Sequence, residues 1–167
     1  MSQSDVTIIR TAGGNVPTYE WQTEAGEADI KAGEPVKLKS AGSPYAIPCA
    51  DGDNTIGTDT SLIGIAASDS SHSASEDGTV MVYVPLPGVV YEAKAKTGTN
   101  VNTEAKILAM VGDRKVFDLT SGVYTVDDGA ADGAANGIVV VGGDPVKETL
   151  QFLIRANGTI LGDSTIA

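Results

Sequence analysis

Residues 78–95 read GTVMVYVPLPGVVYEAKA, and the fold class turns on this stretch. From Thr79 to Leu86 large apolar residues fall at every second position, the period of a strand with one buried face. Pro85, Pro87 and Gly88 then break the run, and VVYEAKA begins a second strand. Upstream, Leu62–Ala67 (LIGIAA) is a short apolar run of strand length, suited to burial on both faces. Further upstream, ADIKAGEPVKLKSAG places Ile30, Val36 and Leu38 inward and Lys37 and Lys39 outward around an AGEP turn, a hairpin corner with lysine-marked edges. Tyr45–Cys49 (YAIPC) is a short strand that Pro48 assigns to an edge or an end.

Downstream, TEAKILAMV from Thr103 to Val111 is the best helix candidate. Thr103 is placed to cap it, Ala105, Ile107, Leu108 and Val111 share a face, and Gly112 stops it. RKVFDL and GVYTV form a hairpin around Thr120–Gly122, and GIVVVGG and ETLQFLIRANGTIL supply later strands. Two polar stretches, DGDNTIGTDTS and SDSSHSASEDG, read as loops, the second low-complexity and flexible. The sum is nine or ten strands and one short helix. The fold class is all-β, a small β-barrel or sandwich with one short helix and an extended N-terminal arm.

Composition agrees with one folding unit. The 167 residues carry 41% hydrophobic side chains but only 5% aromatic ones, so Val, Ile, Leu and Ala must build the core. Glycine, at 20 of 167, exceeds the usual share of roughly 7% and sits at turn-like positions, as frequent short strands require. Eleven Lys and Arg against 22 Asp and Glu give a net charge of −11. A field of that sign repels phosphate backbones, which argues against a nucleic-acid partner. The start MSQSDVTIIRTAGG lacks the pattern of a secretory signal, and no apolar stretch of about 18 residues is present. The reading is a soluble, cytosol-made chain with no membrane partner.

Chemistry finds little purchase. The one imidazole, His72, lies in SDSSHSASED, a loop that offers no preorganised base, and no G-x-S-x-G elbow accompanies it; a solvated loop histidine is the expectation. Cys49, among Ala46, Ile47, Pro48 and Ala50, reads as an inert buried thiol, and a lone Cys with a lone His makes no ordinary zinc site. Asp51, Asp53 and Thr55 have alternating calcium-like spacing, but Gly57 falls one position late and no closing Glu follows. Asp127, Asp128 and Asp132 sit among Gly and Ala and read as turn formers. VVVGGDP lacks the lysine and the helix of a phosphate loop. Asn157-Gly158 is a hairpin turn. No catalytic residue, metal or cofactor is assigned.

Binding is better supported. Residues 1–25 read as an extended arm or edge strand, with 26–167 a single β-rich domain that could carry a C-terminal subdomain from about residue 100. Val6, Ile8, Tyr19 and Trp21 lie in the arm. An unpaired strand with an aromatic anchor is suited to β-augmentation onto a neighbour's sheet, although a first strand of the domain's own sheet fits the same pattern. If the stretch is an arm, its removal leaves the remainder folded.

The succession IKAGEPVKL, LIGIAASD and GTVMVYVPLPGVVYEAKA resembles the small β-barrel cement, or head-decoration, proteins of tailed bacteriophages. AKILAMVGDRKVFDLTSGVYTVDDGA is similar to segments of phage virion structural proteins. The resemblance covers residues from about 28 to 141 and rests on glycine placement and strand pattern. It implies a non-enzymatic, cofactor-free structural protein, made in the host cytoplasm and located on the outer surface of the mature capsid. There it would act as a homotrimer that clamps adjacent subunits of the major capsid protein, with Val6, Ile8, Tyr19 and Trp21 as the capsid or neighbour contact. The chain is longer than minimal cement proteins, which leaves the part after residue 100 without an implied role. The alternatives are another virion β-protein, such as a tail-tube subunit or head-fibre base, and a carbohydrate-binding module.

Overall fold

A computed structural model describes residues 5–11, 14–40, 42–51 and 62–155. These residues form twelve strands, one short α-helix and a single 3-10 turn at Gly98–Asn100. The fold is all-β. One sheet contains β1 (Val6–Arg10), β7 (Val90–Lys94), β12 (Thr149–Ile154), β11 (Ile138–Asp144) and β8 (Arg114–Lys115), in that order. The other contains β2 (Thr18–Thr23), β6 (Gly78–Tyr83), β5 (Leu62–Ala66), β3 (Pro35–Leu38) and β4 (Ala46–Pro48). A separate hairpin joins β9 (Phe117–Thr120) to β10 (Val123–Val126). The described ladders are antiparallel; of two isolated parallel bridges, the one from Gln22 to Tyr45 brings the two margins of the second sheet together without closing a barrel.

The residues quoted first occupy the expected places. β6 alternates Val80 and Val82 into the core with Met81 and Tyr83 outward, and β5 is buried along its whole length. Two hydrophobic clusters result. The larger gathers Val6, Leu62, Ile65, Tyr91, Phe117, Ile138, Leu150 and Phe152. Within it Tyr91 stacks on Phe152 at 5.9 Å, and Phe117 meets Phe152 edge-on at 5.6 Å, arrangements favoured by the ring quadrupoles. The smaller cluster holds Ile30, Val36, Ala46, Ile63, Ala66, Val80 and Val82, with Trp21 and Leu38 packed against it.

β5 can serve both clusters because of a bulge. Val36 opposes Gly64 and Lys37 opposes Leu62, so Ile63 has no partner on β3. Gly64 takes φ +153°, and a Cβ there would overlap the Tyr83 carbonyl oxygen and come within 2.6 Å of Val82 Cγ1. Elsewhere, the β9–β10 turn has φ 55° at Ser121 and 77° at Gly122, the two-residue geometry whose twist suits a hairpin.

Three expectations change. α1 (Glu104–Met110) is capped by Thr103, which accepts from the Lys106 N–H, but only Ile107 is buried. Leu108 and Val111, assigned to the core face, are 64% and 46% exposed, because the helix leans on β11 along one narrow line where Ile107 meets Gly143. The polar stretch 68–77 is stitched to residues 25–32 by its short side chains: Ser70 Oγ accepts from Ile30 N–H, Asp69 from Ala32 N–H and Asp77 from Ala25 N–H. His72 is consequently not a solvated histidine. Its side chain is 2% exposed, with Nε2 3.0 Å from the Glu27 carbonyl oxygen.

Three of the strands that follow residue 100, β8, β11 and β12, complete the sheet begun by β1 and β7, with β12 pairing with β7 from Thr149–Lys94 to Phe152–Tyr91. No described helix is long and apolar enough to cross a membrane. The Gly64→Ala substitution is expected to destabilise the chain by roughly 2–4 kcal/mol, combining overlap at a packed carbonyl with backbone strain; urea denaturation at constant m-value measures it.

Candidate functional site: the open edge of β1

Residues 6–10 and 18–23 are extended, and both are edge strands of the chain's own sheets. Val6 pairs with Ala93, Thr7 with Glu92 and Ile8 with Tyr91, while Tyr19 pairs with Val82 and Trp21 with Val80. The four sequence-selected residues therefore fall on two different edges. Val6, 2% exposed, belongs to the larger core and offers almost no side-chain surface. Ile8 is partly buried against the same core. Trp21 packs on the smaller cluster, and Tyr19 is 65% exposed.

β1 is the more informative edge. Its Val6 N–H turns away from β7 and donates to the Gly33 carbonyl at 3.1 Å. Gly33 takes φ 91°, and its own N–H donates to the Ala66 carbonyl at 2.8 Å, so a single glycine ties the first strand of one sheet to the central strand of the other. Backbone alternation then places the Ile8 N–H and C=O on the same open side. Beyond Gly33 the two sheets diverge. A cleft of about 220 Å3 opens there, with Val6, Thr7 and Ile8 on one wall and Ile65, Ala66 and Tyr83 on the other. Past Ile8 and Tyr83 it widens into a hollow of about 500 Å3 bounded by Thr11 and Gly14–Val16. Arg10 stands exposed at the end of the strand and makes no ion pair with another described residue.

Charge is concentrated at the closed end. Burial pushes the Glu34 carboxyl above its usual 4.5; the Lys31 N–H it accepts at 2.9 Å opposes the rise, and Asp5 and Asp69 nearby add to it. Glu34 thus holds the turn that presents Gly33, at some cost when ionised.

The acidic residues considered as metal ligands have other partners. Asp127 accepts from the Gly129 and Ala130 N–H groups, Asp128 from Thr97 N–H and Asn100 Nδ2, and Asp132 from Arg114, whose guanidinium holds its carboxyl far below the usual range. Among the described residues no three His, Cys, Asp or Glu are grouped to hold a metal. Asp53, Thr55, Gly57 and Asn157 lie outside the described residues. Cys49 is buried in the larger core, as its apolar neighbours suggested. The cleft's far wall comes from residues 32–33, 65–67 and 83, which only the pairing of strands distant in sequence brings together.

Two outcomes follow from this geometry. Removing residues 1–25 takes away two edge strands and the core residue Val6, so the truncated chain should lose cooperative unfolding in thermal or urea melts, not leave an intact domain. Glu34→Gln keeps the acceptor for Lys31 and removes the charge. A raised carboxyl favours the folded state below its unfolded value and loses that contribution as pH rises through the folded one. The variant should therefore be more stable than the parent at pH 7, with the difference vanishing below about pH 4, as pH-dependent denaturation will read. Compared with known proteins, the chain matches no family model and no curated protein.

Proposed function

We propose that the protein is a non-enzymatic structural component of a phage virion, acting on the outer surface of the mature capsid. The open edge of β1 is its contact with the major capsid protein. One observation carries the reading: an exposed strand edge with its backbone groups directed into a cleft walled by Ile65, Ala66 and Tyr83 is an acceptor for an added strand. Main-chain hydrogen bonds at Ile8 would give affinity, and the cleft walls at Ile65 and Tyr83 would receive alternate side chains of the incoming segment. The all-β fold and the resemblance of the IKAGEPVKL, LIGIAASD and GTVMVYVPLPGVVYEAKA segments support the same role. An acidic chain can also accumulate around packaged DNA without adhering to it.

In this reading the protein is a homotrimer that needs no cofactor. Each copy buries surface that only the mature lattice presents, and so stabilises that lattice by linkage. Many copies on one shell act together, so modest affinity per site suffices.

Purified protein mixed with undecorated expanded phage heads should co-pellet at a saturable stoichiometry tied to the lattice. Ile8→Lys, an inward charge of the kind that protects sheet edges, should reduce occupancy at least tenfold while the circular dichroism spectrum is retained. Wild-type protein that leaves heads undecorated overturns the capsid role. Normal occupancy of the folded variant overturns the β1 contact.

A further inference from the structure

A second hollow lies where β1 begins and β10 takes its place beside β7. The handover is made by Asp5, whose Oδ2 accepts from the Tyr124 N–H at 2.8 Å, and by a parallel bridge from Ala95 to Val126. The hollow measures about 400 Å3, and its lining includes Asp5, Thr7, Glu92, Lys94, Lys147 and Thr149. Register explains the grouping. Thr7 opposes Glu92 and Lys94 opposes Thr149, so period-two alternation brings their side chains to one face of three adjacent strands.

The chemistry there is balanced and incompletely satisfied. Two carboxylates, Asp5 and Glu92, face two ammonium groups, Lys94 and Lys147. Lys147 Nζ is 3.9 Å from Glu92 and 3.7 Å from Asp144, longer than a charge-assisted hydrogen bond. Lys94 spends one proton on the Lys147 carbonyl at 2.5 Å and has two more to give. Thr149 is 6% exposed, and its buried hydroxyl has no hydrogen-bond partner. Buried polar groups in native proteins are nearly always paired, so an orphan at the floor of a polar hollow points to a missing partner. Val123, 47% exposed, adds an apolar patch to the rim.

A simple anion placed here meets two carboxylates, and a simple cation meets two ammonium groups. A neutral ligand with adjacent hydroxyls uses both, each hydroxyl accepting from a lysine or threonine and donating to Asp5 or Glu92. We propose that this hollow binds one sugar ring, as a monosaccharide or the terminal residue of a glycan, with its apolar face toward Val123. The site meets the edge cleft only at Thr7 and is argued independently of the capsid reading. For a ligand of a dozen non-hydrogen atoms the expected Kd is on the order of 1 mM.

The test is titration of the isotope-labelled full chain with methyl glycosides of glucose, galactose, mannose and N-acetylglucosamine, followed by amide chemical shifts. Saturable shifts confined to Thr7, Glu92–Lys94 and Lys147–Thr149 with at least one glycoside support the site. Lys147→Met and Thr149→Val should each weaken that binding about tenfold, the loss of one or two polar contacts. Lys147 is 63% exposed, so its variant keeps the test valid if the buried substitution disturbs folding. Absence of shifts with every glycoside overturns the proposal. So do shifts produced by inorganic phosphate or glycine but not by sugars, and sugar binding that Lys147→Met leaves unchanged.

Discussion

Everything in this fold leans on β5, a five-residue strand buried on both faces. Leu62 and Ile65 feed the larger cluster, and Ile63 and Ala66 the smaller. A regular strand divides its side chains by strict alternation, and that division is broken here by the bulge at Ile63. The bulge in turn requires a residue that can pass the Tyr83 carbonyl without a Cβ, which is Gly64. Because interiors are packed to crystal-like density, neither cluster can absorb a displacement of this strand independently of the other. Displacement at Gly64 would therefore be felt in both clusters.

The same coupling sets the functional geometry. Gly33 bonds to Ala66 at the end of β5 and to Val6 at the start of β1, and just past this tie the sheets separate. The cleft beside Ile8 is the space left by that separation, so its width is fixed by core packing and not by the surface residues that line it. The second hollow has a comparable origin, in the exchange of β1 for β10 as the neighbour of β7. Both are consequences of strands that end.

Much of the architecture is legible in the sequence for a physical reason. Val80 and Val82 alternate, Leu62–Ala66 is uniformly apolar, Pro48 marks an edge, and Thr103 and Gly112 bracket the helix; each is a local signal with a local cause. The failures are non-local. Leu108 and Val111 share a helical stripe with Ile107, but whether a partner covers them depends on β11, some thirty residues on. His72 looks solvated until Ser70, Asp69 and Asp77 bind the backbone of residues 25–32. Residues 1–25 look like an arm because nothing within them reveals that β7 and β6 are waiting to pair. The 400 Å3 hollow draws on residues from 5 to 149, and no spacing rule connects them.

The open edge of β1 also constrains symmetry. If β1 were to pair antiparallel with β1 of another copy, each would present the same surface to the other, and the operation relating them would be a two-fold rotation that closes at two subunits. A three-fold ring needs two unlike surfaces meeting around an axis, which one strand edge cannot supply to itself. A trimer of this chain held by other elements would therefore carry three unspent edges, related by its own axis and spaced alike. Such an assembly is trivalent by construction, its valency set by the topology of one sheet.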